Sequence, residues 1–314
     1  MIVVAGEALI DLVPQTTGPD AAPDPARSAA PAALAPRLGG GPYNTAVALG
    51  RLGSPVSFCS RVSTDAFGEA LLEGLRTAGV DVSVVQRGDE PTTLAVASIG
   101  ADGSAGYSFY VEGTADRLFT APDTLPSGTR AVSFGTCSLV LEPGATAYEE
   151  LMRAAASRGV FTALDPNIRA GLIQDADAYR ARFKSWLSST ALLKLSEEDA
   201  QWLGGTPQEW LALGPAAVVV TRGGDGLSVF TQDGGTYAVP GEPVDVVDTI
   251  GAGDTVNAAL LHALDHLDAL SPAAVAGLGG DRWARLLRFA ARAAAITCSR
   301  AGAEPPYASE AGTL

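Results

Sequence analysis

Histidine is almost missing from this chain: 314 residues contain two, His262 and His266. They fall four apart on one predicted helix, a spacing able to grip a metal. No third ligand or glutamate accompanies them, so a surface pair is the simpler reading. Cysteine is nearly as scarce. Cys59, Cys137 and Cys298 are far apart, odd in number and without metal-ligand spacing, which fits small core residues of a protein in a reducing cytosol. Positive charge is short too, with 21 Lys and Arg against 35 Asp and Glu and a formal net charge of −14. That balance argues against nucleic acid or an anionic membrane as partner and leaves small molecules. No apolar run reaches about 18 residues, so no transmembrane helix is expected. The start, Met1-Ile2-Val3-Val4-Ala5-Gly6-Glu7, has neither the basic region nor the long apolar stretch of a signal peptide. There is no internal repeat and no clear linker.

What the chain does have is apolar material: 47% hydrophobic and 18% charged residues, ample for a large buried core. Strand-like segments (2–5, 57–62, 131–134, 160–164, 191–195, 217–221) alternate with helix-like ones, which predicts a parallel sheet covered on both faces. Segments 92–99 and 107–111 flank the Asp102-Gly103 turn signal and predict a hairpin forming a small β flap outside the main sheet. Residues 15–36, rich in Pro, Ala, Asp and Gly, read as a surface excursion. In parallel sheets ligands lie beyond the carboxyl ends of the strands. Asp11, on an extended stretch among apolar residues, is either a paired structural acid or a binding group.

The segment Asp248-Thr249-Ile250-Gly251-Ala252-Gly253-Asp254-Thr255 carries the chemistry. Val244 to Val247 before it reads as a strand end, and Val256 to Leu264 after it as a helix. The small residues allow a ligand close to the backbone, and the free N–H groups of the first helical turn suit a phosphate. Read alone, Asp254 would be a helix cap. In an anion site an uncommitted carboxylate opposes the ligand, unless it removes a proton from a hydroxyl attacking the phosphoryl group. That arrangement points to a kinase.

A second glycine-rich turn, Leu38 to Gly53, runs Gly39-Gly40-Gly41-Pro42-Tyr43-Asn44-Thr45 into a helix. Its spacing fails the dinucleotide fingerprint, and Asn44 offers both donor and acceptor to a sugar hydroxyl. This stretch resembles the N-terminal signature of the PfkB-type, ribokinase-like carbohydrate kinases, and 248–261 resembles their C-terminal signature. Local matches lean toward the fructokinase branch: Gly6 to Asp11, Asp65 to Gly68, Glu90 to Ala95, Asp165-Pro166-Asn167-Ile168-Arg169 and Lys194 to Glu198.

The resemblance implies a three-layer α/β/α sandwich with a mostly parallel sheet, forming one domain over 1–314. It also implies a β lid built from about 9–38 and 91–113. Asp11, Gly40, Gly41 and Asn44 would hold sugar hydroxyls, with Arg169 as a further substrate contact. Asp254 would be the base, with Gly251, Ala252 and Gly253 giving backbone N–H groups to the transferred phosphoryl. Thr221, Gly223, Gly226, Ser196 and Asn257 would serve ATP. Asp248 and Ile250 would hold a monovalent cation, K⁺ by expectation, and Asp199 would meet Mg²⁺ through water.

Two departures stand out. Ser196-Glu197-Glu198-Asp199 replaces the family's usual Asn-x-x-Glu, and it also reads as plain helix capping. No basic residue follows Phe109-Tyr110. The expected reaction is ATP-dependent phosphorylation of fructose in the cytoplasm, with a homodimer through the lid as a possible assembly. The alternatives are 2-keto-3-deoxygluconate kinase, ribokinase, or a non-catalytic sugar sensor. Arg169 is the discriminator: in the sugar site it would favour an acidic sugar, and paired with a carboxylate elsewhere it would not.

Overall fold

The structure is a computed structural model that describes residues 1–14, 33–99 and 105–314. The Asp102-Gly103 turn and most of the 15–36 excursion lie outside those residues.

In chain order the first elements are β1 (Ile2–Ala5), β2 (Leu9–Pro14), β3 (Leu34–Gly39) and α1 (Gly41–Arg51). Then come β4 (Val56–Cys59), β5 (Arg61–Ser63), α2 (Ala66–Thr77), β6 (Gln86–Gly88), β7 (Leu94–Ile99) and β8 (Ala105–Tyr110). The α/β repeat continues with β9 (Ala131–Gly135), α3 (Gly144–Ser157), β10 (Phe161–Asp165), α4 (Ala176–Trp186), β11 (Leu192–Ser196) and α5 (Glu197–Leu203). Next are α6 (Pro207–Leu211), β12 (Ala217–Thr221), β13 (Leu227–Thr231) and β14 (Thr236–Val239). The chain closes with α7 (Ala252–His266), α8 (Pro272–Ala276), α9 (Gly280–Cys298) and α10 (Ala308–Ala311).

Among the described residues the main sheet has the order β14-β13-β12-β11-β10-β9-β1-β4. From β4 to β12 all pairs are parallel, and β13 and β14 add an antiparallel edge. Strand alternation divides the apolar side chains between two layers. Ile2 and Val4 join a core with α1, α7 and α9, while Val3 and Ala5 join one with α3, α4 and α6. Val219 and Leu192 face the first layer, and Val218, Val220, Leu193 and Leu195 the second. The sheet is therefore apolar on both faces, as the near-continuous Val/Leu runs require.

A separate small sheet has the order β3-β2-β7-β8. It contains the two hairpin strands, β2, and β3, which begins inside the stretch that composition reads as a surface excursion. Pro36 hides β3 in the sequence, but proline is tolerated on an edge strand, where no N–H is needed on the outer side. Two other expectations are corrected. The 57–62 strand is broken: β4 leaves the main sheet after Cys59, and β5 pairs with β6 instead. Arg61 explains the break, because its guanidinium reaches Glu90 at 2.7 Å and could not enter a sheet buried on both faces. Val244 to Val247 form no strand. Val246 and Val247 are exposed, and the Val247 and Asp248 N–H groups both turn to the Cys298 carbonyl at the end of α9.

Asp65 ties the start of α2 to the chain entering the small sheet. Its carboxylate accepts Gly68 N–H at 2.7 Å, capping α2, and also Thr92 N–H at 2.9 Å and the Thr92 hydroxyl at 2.7 Å, just before β7. Removing it strands a helix terminus and a half-buried backbone donor together. Asp65→Ala is expected to cost roughly 1–3 kcal/mol of stability in urea unfolding, and a loss below a few tenths would show the cap to be idle.

Candidate active site

The carboxyl ends of β1, β9, β10, β11 and β12 lie along one edge of the main sheet. The small sheet and the start of α7 are brought to that edge and enclose two cavities. One, about 240 Å³, is lined by Asp11 from β2, Gly40, Gly41 and Asn44 at the start of α1, Arg169 after β10, and Gly251, Gly253 and Asp254. All five residues expected to contact sugar therefore meet the expected base. The other cavity, about 230 Å³ and mostly apolar, is lined by Thr221, Gly223 and Gly226 with Ala252, Val256 and residues of α9. Thr249 and Gly253 line both. The two cavities meet at the glycine turn.

That turn is shaped for an anion. Gly251 adopts φ 77° as the N-cap of α7 and gives no side-chain cap, unlike Asp65 of α2 or Ser196 of α5. A Cβ on Gly251 would come within 2.6 Å of the Ala303 side chain. The Ala252 N–H turns back to the Thr249 carbonyl at 3.3 Å. Among the described residues the N–H groups of Gly251 and Gly253 make no hydrogen bond, so two of the three expected donors are free for a phosphoryl group.

Asp254 is 7% exposed and accepts the Asn44 side-chain N–H at 2.8 Å. Burial raises its pKa, against the pull of that hydrogen bond and of Lys194 and Arg169. Asn44 thus orients the Asp254 carboxylate, in addition to lining the cavity. Gly41 also closes on the site: a Cβ there would meet the Thr136 hydroxyl at 2.4 Å and Asp254 Oδ1 at 3.3 Å. Burial likewise lifts Asp11 to about 6, with Arg169 lowering and Asp254 raising it.

A profile of the pfkB family carbohydrate kinases matches residues 1–310. The chain belongs to this family. The kinase is 40% identical over 287 residues to a fructokinase of Rhizobium leguminosarum bv. trifolii, covering 88% of this chain and 84% of that protein. It is 31% identical over 312 residues to a fructokinase of Escherichia coli, covering 96% and 94%. Among solved structures, the ATP-bound fructokinase of Xylella fastidiosa superposes with a TM-score of 0.86 at 27% identity, covering 99% and 96%.

Of the other expected residues, Ile250 lines the first cavity, whereas Asn257, Ser196, Asp199 and Asp248 line neither. Asn257 is buried, donates to the Ser133 hydroxyl at 3.1 Å and borders a polar space of about 10 Å³ behind Asp254. Ser196 caps α5 in a reciprocal capping box with Asp199. Both Asp199 oxygens accept backbone N–H groups, from Ile168 at 2.8 Å and Ser196 at 3.0 Å. Asp248 accepts Ile250 N–H at 3.1 Å and Gly302 N–H at 2.9 Å. Arg169 faces the first cavity and donates to the Asn167 side-chain oxygen at 2.7 Å. Among the described residues it has no carboxylate partner, so the loop-pairing alternative is not what the structure adopts. Of the histidines, His266 is exposed as expected, but His262 is half-buried with its Nδ1 2.8 Å from the Ser54 hydroxyl. Cys59 and Cys137 are buried, whereas Cys298 is half-buried and lines the apolar cavity.

Sequence reasoning missed Glu7, Thr136, Asn167, Tyr107 and Phe109, which also line the first cavity. Thr136 and Asn167 have φ 62° and 39°, conformations that cost a non-glycine residue energy and cluster at working sites. Only Asn167 carried a hint, since asparagine tolerates that region. Glu7 is almost wholly buried, its Oε2 accepting the Ser138 N–H at 3.0 Å and hydroxyl at 2.7 Å. Burial pushes its pKa up to about 7, against the Ser138 bonds. Between its unfolded value near 4.5 and about 7 the folded protein keeps a proton that the unfolded chain has lost. This contribution to stability therefore falls as pH rises through that window. Urea titrations from pH 5 to 8 should show Glu7→Gln gaining on wild type as pH rises; a constant difference would mean that Glu7 does not titrate there.

Proposed function

We propose that this PfkB-family enzyme is an ATP-dependent kinase that phosphorylates a primary hydroxyl of a small sugar, with fructose going to fructose 6-phosphate. The observation that carries the reading is the junction of the two cavities at Gly253 beside the buried carboxylate of Asp254. Sugar would occupy the polar cavity, with Asp11 and Asn44 on its hydroxyls, and ATP the apolar one against Gly223, Gly226 and Val256. Asp254 accepts the hydroxyl proton as the oxygen attacks the γ-phosphorus, and the free N–H groups of Gly251 and Gly253 stabilise the charge on the transferred group. The small sheet, placing Tyr107 and Phe109 over the polar cavity, acts as a lid that keeps water from taking the phosphoryl group. The fructokinases among the relatives support fructose as the acceptor.

Asp248 and Ile250 fit a potassium site. The Asp248 carboxylate is half-buried and has no basic partner within ion-pair reach among the described residues, so a bound K⁺ would offset negative charge next to the glycine turn. Asp199 fits magnesium poorly: like Asp248 it accepts backbone N–H groups on both oxygens, but it is only 7% exposed, whereas Asp248 is half-buried, and no step is assigned to Asp199. The exposed outer strands of the small sheet, carrying Leu34, Leu38 and Tyr110, support a homodimer formed through the lid. The free thiols support a cytoplasmic setting.

Arg169 favours a second reading, in which an acidic sugar such as 2-keto-3-deoxygluconate is the acceptor, since an unpaired guanidinium faces the polar cavity. Coupled ADP release against fructose, ribose, 2-keto-3-deoxygluconate, glucose and a nucleoside separates the two. Rapid turnover on fructose alone is expected, and preference for the acid would overturn the substrate. Silence on every sugar would overturn the kinase. Asp254→Asn keeps the shape and loses the base, so turnover should fall roughly 10²–10⁴-fold with ATP binding little changed.

A further inference from the structure

Strand alternation also drives two charged side chains into the core. Lys194 alternates with Leu193 and Leu195, and Asp165 with Leu164, so both face the layer that holds α1 and α7. Lys194 Nζ lies 2.7 Å from Asp165 Oδ2, with the side chains 4% and 6% exposed. The ammonium sits under the phosphoryl-binding turn: a Cβ on Gly253 would stand 3.0 Å from Nζ. Asp165 and Asp254 both border the small polar space behind the base. A buried ion pair seldom stabilises a fold more than apolar residues of equal volume. Its position beneath the turn gives it another use.

We propose that Lys194, anchored by Asp165, is a positioning residue for phosphoryl transfer, whose fixed charge keeps Asp254 ionised and ready to accept the hydroxyl proton. This rests on the reading of Asp254 as the base.

The charges facing Asp254 explain why one cation matters. Asp11 approaches from β2 and Asp165 from the end of β10, with Asp199 of α5 behind Asp165 and Lys194, while the cations are Lys194 from β11 and Arg169 from the loop after β10. Asn44 from α1 is neutral and donates. Two further carboxylates beside Asp254, and a third beside Lys194, are thus set against two cations in a buried region. Burial lowers the Lys194 pKa, but Asp165, Asp254 and Asp199 more than reverse this and hold it protonated. Arg169 faces the polar cavity and is bonded to the 167–168 loop. Lys194, held by Asp165, is the cation fixed beneath the turn.

The test is the pH profile of kcat/KM for the sugar, read by ADP release, in wild type, Lys194→Met, Lys194→Arg, Asp165→Asn and Asp254→Asn. Lys194→Met should move the acid limb to higher pH by on the order of one unit, with rate recovered under alkaline conditions, and Lys194→Arg should restore most of the shift. Asp165→Asn, which keeps the ammonium and removes a carboxylate, should move the limb the other way. Limbs that stay in place in these variants, with only amplitude lost, overturn the proposal. Should Lys194→Met not fold, the direction seen in Asp165→Asn decides. Near-wild-type turnover in Asp254→Asn would instead bring down the assignment of the base, whereas an inactive Asp254→Asn beside unmoved limbs removes only the role of Lys194.

Discussion

Burial opposes charge, and the site at the carboxyl edge of the sheet needs both. A base must be ionised to take a proton, yet water must be absent if the phosphoryl group is to reach a sugar. The fold meets these demands with fixed groups. In the proposed reading the side-chain amide of Asn44 and the Lys194 ammonium offset the buried charge of Asp254, while the free N–H groups of Gly251 and Gly253 are left for the phosphoryl group. A chain with a net charge of −14 must find this compensation locally, and it does so with backbone dipoles and few cations.

In the proposed reading one turn serves two ligands. On one side of Gly253 the walls are carboxylates, amides and hydroxyls, suited to a polyol; on the other they are alanine, valine and glycine, suited to the flat face of a base. A kinase of this family has to bring one phosphorus atom between such compartments. Placing the shared wall at a helix N-terminus puts anion recognition at the boundary itself.

Much of this was legible in the sequence because it is local. Valine and leucine runs marked the parallel strands, the Gly40–Asn44 and Gly251–Asp254 turns marked the ligand edge, and the family resemblance joined them. What escaped depended on distant partners. β3 carries a proline and owes its strand character to pairing with β2. Val244 to Val247 have strand composition but meet no partner strand. Thr136 reaches the cavity through a strained backbone that its side chain does not advertise. Lys194 and Asp165 were visible as letters in two motifs, but their pairing required knowing that β10 and β11 are neighbours. Asp199 had two readings, a cap or a metal contact, and the geometry of its oxygens supports the cap.

The glycine turn is braced from the far end of the chain. Asp248 holds the Gly302 N–H across 54 residues, and Cys298 supplies the carbonyl that fixes Val247 and Asp248. During synthesis the strands, the small sheet and the start of α1 all leave the ribosome before these supports exist. A nascent chain therefore makes the Asp11, Gly40, Gly41 and Asn44 side of the polar cavity before the turn that completes it is secured. The turn that carries Asp254 is among the last parts of the chain to gain its braces.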